Sequence, residues 1–566
     1  MTDASATVPD GSIKSPRLLD RERIVAKPGF NRWLVPPAAL CIHLCIGMAY
    51  GFSVFWKPLE GALTSEDGSQ VLASCSAGAT TFAEKGVGTL RALFATDCNW
   101  SQFGLGWMYT FFFVMLGLSA ATWGGWLERA GPRKAGVVST ICWCGGLLIS
   151  ALGAHAHQLW LMWLGSGIIG GIGLGLGYIS PVSTLIKWFP DRRGMATGMA
   201  IMGFGGGAMI GSPLATLLMN SFKTPTDPGV WQTFIAMAAI YFVFMLIGAF
   251  GYRLPPPGWR PEGWAPPSND NAMITARNVH LRNAHKTPQF WCLWLVLCLN
   301  VSAGIGIIGA ASPMLQETFG GALFGEPQIG FDQFSGEQKK LAAAMGAGFV
   351  GLISLFNIFG RIVWASSSDQ LGRKLTYFIF FTLGAALYAA ASFAAAWQGV
   401  ALFVVAFCII ASMYGGGFAT IPAYLADMFG TQFVAAIHGR LLTAWSTAGI
   451  LGPFVVNYLH DKRLAEQVPA DQIYGPIFYI LAGMLVLGWI ANLLVRPVNP
   501  KWHMSDAEVT AGQAKLGAVP AMAQTGSFGI GKGGLDAKAA LFWLLVGIPL
   551  AWGIWNTVEK TLVLLQ

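Results

Sequence analysis

The sequence predicts an all-α membrane protein built as two parallel repeats, each a six-helix bundle, with one extra C-terminal transmembrane helix. Three observations carry that prediction. First, 54% of the 566 residues are hydrophobic and 11% charged, with a mean hydropathy of +0.54, which is more apolar surface than one soluble core hides. Second, apolar runs of about 20 residues, the length that crosses a bilayer, recur thirteen times, near 33–56, 103–127, 135–154, 158–186, 194–219, 230–252, 288–316, 341–366, 375–396, 399–426, 441–459, 473–495 and 539–558. Third, the segment GGWLERAGPRK, Gly124 to Lys134, returns as ASSSDQLGRK, Ala365 to Lys374, so that Glu128 and Asp369, and Gly131 and Gly372, each stand 241 residues apart.

Other landmarks keep that offset. Pro181 matches Pro422 and Gly198 matches Gly439 at 241 residues, while Phe189 matches Phe429 and Pro213 matches Pro453 at 240. Six spans separate the copies, an even number, so both lie the same way up and are related by an axis along the membrane normal. The expected organisation is an N-terminal segment at 1–32, a first bundle at 33–252, a linker at 253–287, a second bundle at 288–495, a tether at 496–538 and the extra span at 539–558.

Lys and Arg set the expected orientation. With the N-terminus cytoplasmic, inner segments hold 25 of the 35 basic residues and outer segments 9, Arg361 being the remaining one. The net charge of +8 is therefore a topology signal, and no nucleic acid partner is expected. The first 32 residues are polar and the following apolar run exceeds a signal-peptide core, so no cleavable signal is expected.

The first span contains His43, Tyr50, Ser53 and, at its outer end, Lys57 beside Trp56 and Pro58. Polar residues at membrane depth face a neighbouring helix or a cavity; Lys57 reads as an interface anchor. Tyr50 is a candidate hydrogen-bond donor to a substrate, and His43 is either a core residue or a titrating one. The outer loop that follows holds Cys75 and Cys98, candidates for a disulfide in an oxidising compartment. The other seven cysteines lie in apolar spans, and no metal site is expected. The fourth span packs seven glycines between Gly165 and Gly177. Gly167, Gly171 and Gly175 at four-residue spacing read as close helix packing, and no nucleotide loop is expected inside an apolar run. Tyr178 follows directly.

Arg361 stands bare within the eighth span, and 241 residues earlier the chain has Ala120. The charge is therefore no part of the repeated scaffold. A charge at a helix centre costs roughly 2.5 to 3.5 kcal/mol on insertion scales, so it is kept for a task; the competing expectation is that it snorkels to the inner interface. Asn357 lies one turn before it. Further on come Tyr414 and Phe418 on one helix face, and Trp445 in the eleventh span, all candidates for lining a cavity.

At Gly124, Glu128, Arg129, Gly131, Arg133 and Lys134 the chain resembles the major facilitator superfamily, whose loop signature between the second and third helices this is, with Pro132 inserted. The degenerate second copy carries Asp369, Gly372, Arg373 and Lys374. The resemblance covers about 33–495 and implies the major facilitator fold and a conformational latch at both motifs. The stretches CIGMAYGFSVF, LFNIFGRIVWASSSDQLGRK and AWSTAG are similar to the oxalate/formate antiporter family in particular. That resemblance implies small carboxylates as substrates, held by Arg361 with Tyr50, Tyr178, Tyr414 and Trp445 around it. The oxalate-exchanging member's second cation falls on Ala448 here, which points to monocarboxylates such as formate, pyruvate or lactate.

The expected function is a secondary carrier of the bacterial inner membrane, with no cofactor. The similar proton-coupled monocarboxylate transporters have an aspartate where this chain has Asn357, an amide that does not titrate near neutral pH. Exchange of one carboxylate for another is thus favoured over proton symport, with His43 the only embedded group able to carry a proton. A non-transporting membrane sensor of the same anions is the alternative from another class, and an enzyme a weaker third. The extra span is either a peripheral helix packed on the bundle or a docking helix for a partner.

Overall fold

In the computed structural model the described residues are 17–561, without 65–70, 80, 257, 265–272, 276, 327–328, 331–332, 398, 506 and 509–535. Most of the expected tether and the start of the N-terminal segment lie outside them.

Thirteen long helices follow one another: α1 (Arg32–Glu60), α2 (Gln102–Ala130), α3 (Pro132–His155), α4 (Leu159–Trp188), α5 (Arg193–Phe222), α6 (Val230–Gly251), α7 (Pro288–Phe319), α8 (Gly336–Leu371), α9 (Arg373–Ala396), α10 (Val400–Phe429), α11 (Val434–Leu441 and Thr443–Ala465), α12 (Gly475–Leu494) and α13 (Ala537–Thr561). Local chemistry starts several of them. Ser101 caps α2 by accepting from Gly104 N, Thr287 with Pro288 opens α7, and Ser335 and Gln338 form a reciprocal capping box on α8. Among the described residues twelve helices are long and apolar enough to cross a membrane. The remaining one is α11, which is jointed at Leu442 and ends in Lys462 and Arg463; it nevertheless packs in the bundle against α7 and α2.

The repeat is visible in the backbone. Gly131 and Gly372 both adopt φ of +85°, a left-sided conformation that glycine enters freely, and each turns one helix into the next. Pro181 and Pro422 interrupt α4 and α10; Pro213 and Pro453 interrupt α5 and α11. In the first half α3 packs on α6, α1 on α5 and α2 on α4; in the second, α9 packs on α12, α7 on α11 and α8 on α10. The halves meet through α5 against α8 and α10, and α2 against α11.

The face carrying the α2–α3 and α8–α9 turns is called the motif face below. At the other face the α1–α2 loop is closed by a Cys75–Cys98 disulfide and by Asn99, whose side chain binds Leu63 N, Leu63 O and Leu72 O. The expected cysteine pair thus forms.

The extra helix packs on the bundle. Its Trp543 donates to Trp33 O at 3.2 Å, Val546 packs with Leu40 and Cys41 of α1, Gly553 lies on Met209 and Ile210 of α5, and Ile554 joins Leu355 and Ile358 of α8. It therefore lies along the seam between the two halves. Pro213 removes the helical donor to the Met209 carbonyl, and Gly553 is the residue seated over that oxygen.

Candidate functional site

Arg361 is fully buried and does not snorkel. Its Nη1 donates to Ile201 O of α5 at 2.9 Å and its Nε to Asn357 Oδ1 at 3.1 Å, while Nη2 has no partner. Two glycines of α5 make room. A Cβ on Gly198 would stand 2.7 Å from Arg361 O, and one on Gly205 2.9 Å from Arg361 Nε. The guanidinium lies between the rings of Phe204 (6.0 Å) and Phe418 (5.7 Å), one from each half. No carboxylate among the described residues pairs with it.

Around this cation the aromatic candidates converge. The Trp445 ring is 4.4 Å from Phe418, 5.3 Å from Tyr178, 5.5 Å from Phe204 and 6.3 Å from Tyr50. Tyr414 packs edge-on to Phe418 at 5.2 Å. Tyr50 sits where α1 tightens into a 3₁₀ stretch, Gly47–Phe55, and faces Arg361 and Tyr414. The Tyr178 hydroxyl and the Trp445 indole N–H are buried without a hydrogen-bond partner, and the buried Tyr50 hydroxyl is turned toward Arg361 and Tyr414. Unpaired buried donors cost about 1 to 3 kcal/mol each, so the centre is built to be completed by an acceptor. Ala448 is fully buried nearby on α11 and brings no charge.

Sequence reasoning missed Phe113, Phe204 and His438. Phe204 carries no signal of its own within a glycine-rich apolar helix, and Phe113 is one of three consecutive phenylalanines. His438 was legible as a polar residue near a membrane helix; it is buried, its Nε2 is unpaired and its ring lies 5.9 Å from Tyr178.

The motif residues divide. Glu128 Oε1 accepts from Ala435 N at the start of α11 at 3.1 Å, and its Oε2 pairs with Lys187 at 2.8 Å. Asp369 does the same for α5, accepting from Gly194 N at 2.8 Å and Met195 N at 2.9 Å. Gly194 and Ala435 are themselves 241 residues apart. Each acid thus caps the N-terminus of a helix in the opposite half, where the helix dipole favours negative charge. Arg373 bridges Asp369 (2.6 Å) and Asp427 (3.0 Å), and Asp427 reaches Arg193 of the first half at 2.8 Å. The remaining motif cations do not cross between the halves. Arg133 donates to Leu18 O and Phe250 O, Lys374 donates to Leu493 O and Val495 O, and Arg129 and Lys134 are exposed.

The family profile described as Major Facilitator Superfamily matches residues 73–453. The chain belongs to that superfamily. It is 28% identical over 284 residues to the oxalate:formate antiporter of Oxalobacter formigenes, a match spanning 50% of this chain and 59% of that protein. It is 24% identical over 396 residues to the apicoplast pyruvate carrier 1 of Toxoplasma gondii, spanning 60% of this chain and 66% of the carrier. The chain thus covers less than two thirds of either relative. Among solved structures it resembles the major facilitator transporter FucP in the outward conformation, with a TM-score of 0.55, 12% identity, and coverage of 82% of this chain and 100% of that one. With twelve bilayer-length helices among its described residues, this superfamily member is a multi-pass membrane protein.

Proposed function

We propose that this transporter carries small monocarboxylates, such as formate, pyruvate or lactate, across a bacterial inner membrane by alternating access, exchanging one for another. The observation that carries the reading is the guanidinium of Arg361, a buried cation with no carboxylate beside it among the described residues, set among the hydroxyls of Tyr50, Tyr178 and Tyr414. A carboxylate supplies what is lacking: one negative charge and acceptor lone pairs for the guanidinium and the hydroxyls. The names of the two curated relatives support the same substrate class.

With the motif face and N-terminus cytoplasmic, the two acid-capped helix starts and the Arg193–Asp427 pair close the inner side. Charges at helix ends are suited to that task, since each contact is modest and together they release when the halves rock. Asn357 holds Arg361 through Nε and does not titrate, which supports exchange. The test is uptake of labelled formate, pyruvate and lactate into proteoliposomes, with Arg361→Gln as the control. Uptake that ignores Arg361, or none of any of these acids, refutes the proposal.

A further inference from the structure

His43 of α1 is fully buried, and the mechanism above leaves it without a task. Its Nδ1 stands 2.5 Å from Ala200 O, and its Nε2 3.2 Å from Tyr178 O. Both neighbours are backbone carbonyls, which only accept. A neutral imidazole has one N–H, so it would set a lone pair against one of these oxygens; an imidazolium donates to both. The surroundings add a reason. Pro181 leaves the Gly177 carbonyl without its helical donor, and that carbonyl lies beside the same ring. An orphaned carbonyl within a membrane calls for a donor.

From α8, Arg361 faces His43 closely enough for the two like charges to oppose each other. The two donate to adjacent carbonyls of α5, Ala200 and Ile201. From α4 comes Tyr178, stacked on the imidazole at 5.4 Å, and from α5 the Phe204 ring at 6.4 Å. On the far side of Tyr178 lies His438 of α11. No Asp or Glu among these contacts offsets the charge.

We infer that His43 is the proton site of this carrier, taking up a proton as a carboxylate neutralises Arg361 and losing it as the carboxylate leaves. The anion offsets the Arg361 charge that opposes a second cation beside it, so anion and proton favour each other's binding. What moves is then one carboxylate with one proton drawn from the same side, and exchange trades one such neutral pair for another. The inference rests on the carboxylate reading.

The experiment uses the purified full chain in proteoliposomes holding a trapped pH dye. Labelled pyruvate and lactate are supplied, and the leak in protein-free liposomes is subtracted. The expected result is about one proton entering per carboxylate, uptake that rises at least several-fold under an inside-alkaline gradient, and loss of that response in His43→Gln. Arg361-dependent carboxylate uptake without proton entry overturns the inference and leaves the carboxylate reading standing, as does a His43→Gln variant with wild-type proton entry. Absence of Arg361-dependent uptake both into these vesicles and into vesicles preloaded with carboxylate sinks both. If His43→Gln does not elute as a monodisperse species, the wild-type proton count decides alone.

Discussion

Arg193, at the first turn of α5, and Asp427, near the end of α10, pair at 2.8 Å across the two halves of the molecule. Both are largely buried, and Asp427 also holds Arg373. Removing one partner of a buried pair strands the other, at a cost of about 3 to 5 kcal/mol. Asp427→Asn strands Arg193, leaves Arg373 with Asp369 alone, and is expected to favour opening of the motif face. A cysteine placed at Thr197, which is buried where its hydroxyl bonds Ala419 O, should label with an impermeant maleimide from the motif side at least tenfold faster in that background. Equal labelling would remove this pair from the gate.

Arg361→Gln is expected to abolish uptake while the protein still inserts and elutes as a single species. A hydrogen bond to a charged group contributes about 1.5 to 3 kcal/mol, or roughly ten- to 150-fold in binding by RT arithmetic. Relieving a buried cation does not harm folding by the same argument. Unchanged transport in this variant would remove Arg361 from the site.

Dianions should be poor substrates. With Ala448 where a second cation would stand, oxalate brings one uncompensated charge into a dry chamber, at several kcal/mol. Ala448→Lys should raise the ratio of oxalate to formate uptake. Higher affinity for oxalate than for formate in the unmodified protein would contradict this.

Exchange predicts that internal carboxylate accelerates entry of labelled carboxylate by about tenfold with pH equal on both sides, since the loaded carrier returns more readily than the empty one. Asn357→Ala frees the Nε of Arg361 and should lower affinity by about 1.5 to 3 kcal/mol. Equal rates into loaded and empty vesicles would exclude the exchange mode.

His157, in the α3–α4 turn outside the spans, bonds Cys98 O at 3.0 Å and stacks on Trp100 at 4.4 Å. Burial lowers its pKa below the ordinary 6.5. The unfolded chain therefore binds the proton more readily than the folded one, and stability is lost as pH falls through about 6.5. The thermal midpoint should drop between pH 7.5 and 5.5, and drop less in His157→Gln.

The architecture was legible in the sequence because bilayer-length apolar runs and a 241-residue offset are properties of residue type and spacing alone. Arg361 was legible for the same reason, a charge where hydrocarbon forbids one. The contacts that seal the motif face were only half legible. Glu128 and Asp369 stood out, but their partners are backbone N–H groups of Ala435, Gly194 and Met195, which carry no letter in the sequence. The Arg193–Asp427 pair was hidden because 234 residues separate its members and each looks like an ordinary loop charge. The situation of His43 depends on two carbonyls from different helices, which no composition reveals.

The position of α13 has a consequence for how the molecule is made. It follows both halves in the chain, so it is synthesised after every helix it covers, and its partners on α1, α5 and α8 must already lie side by side for it to seat. During biogenesis the α5–α8 groove, with the bared Met209 carbonyl, faces lipid until this last helix arrives. Its docking therefore reports that the halves have found each other, which makes protease protection of α13 a natural marker of completed assembly.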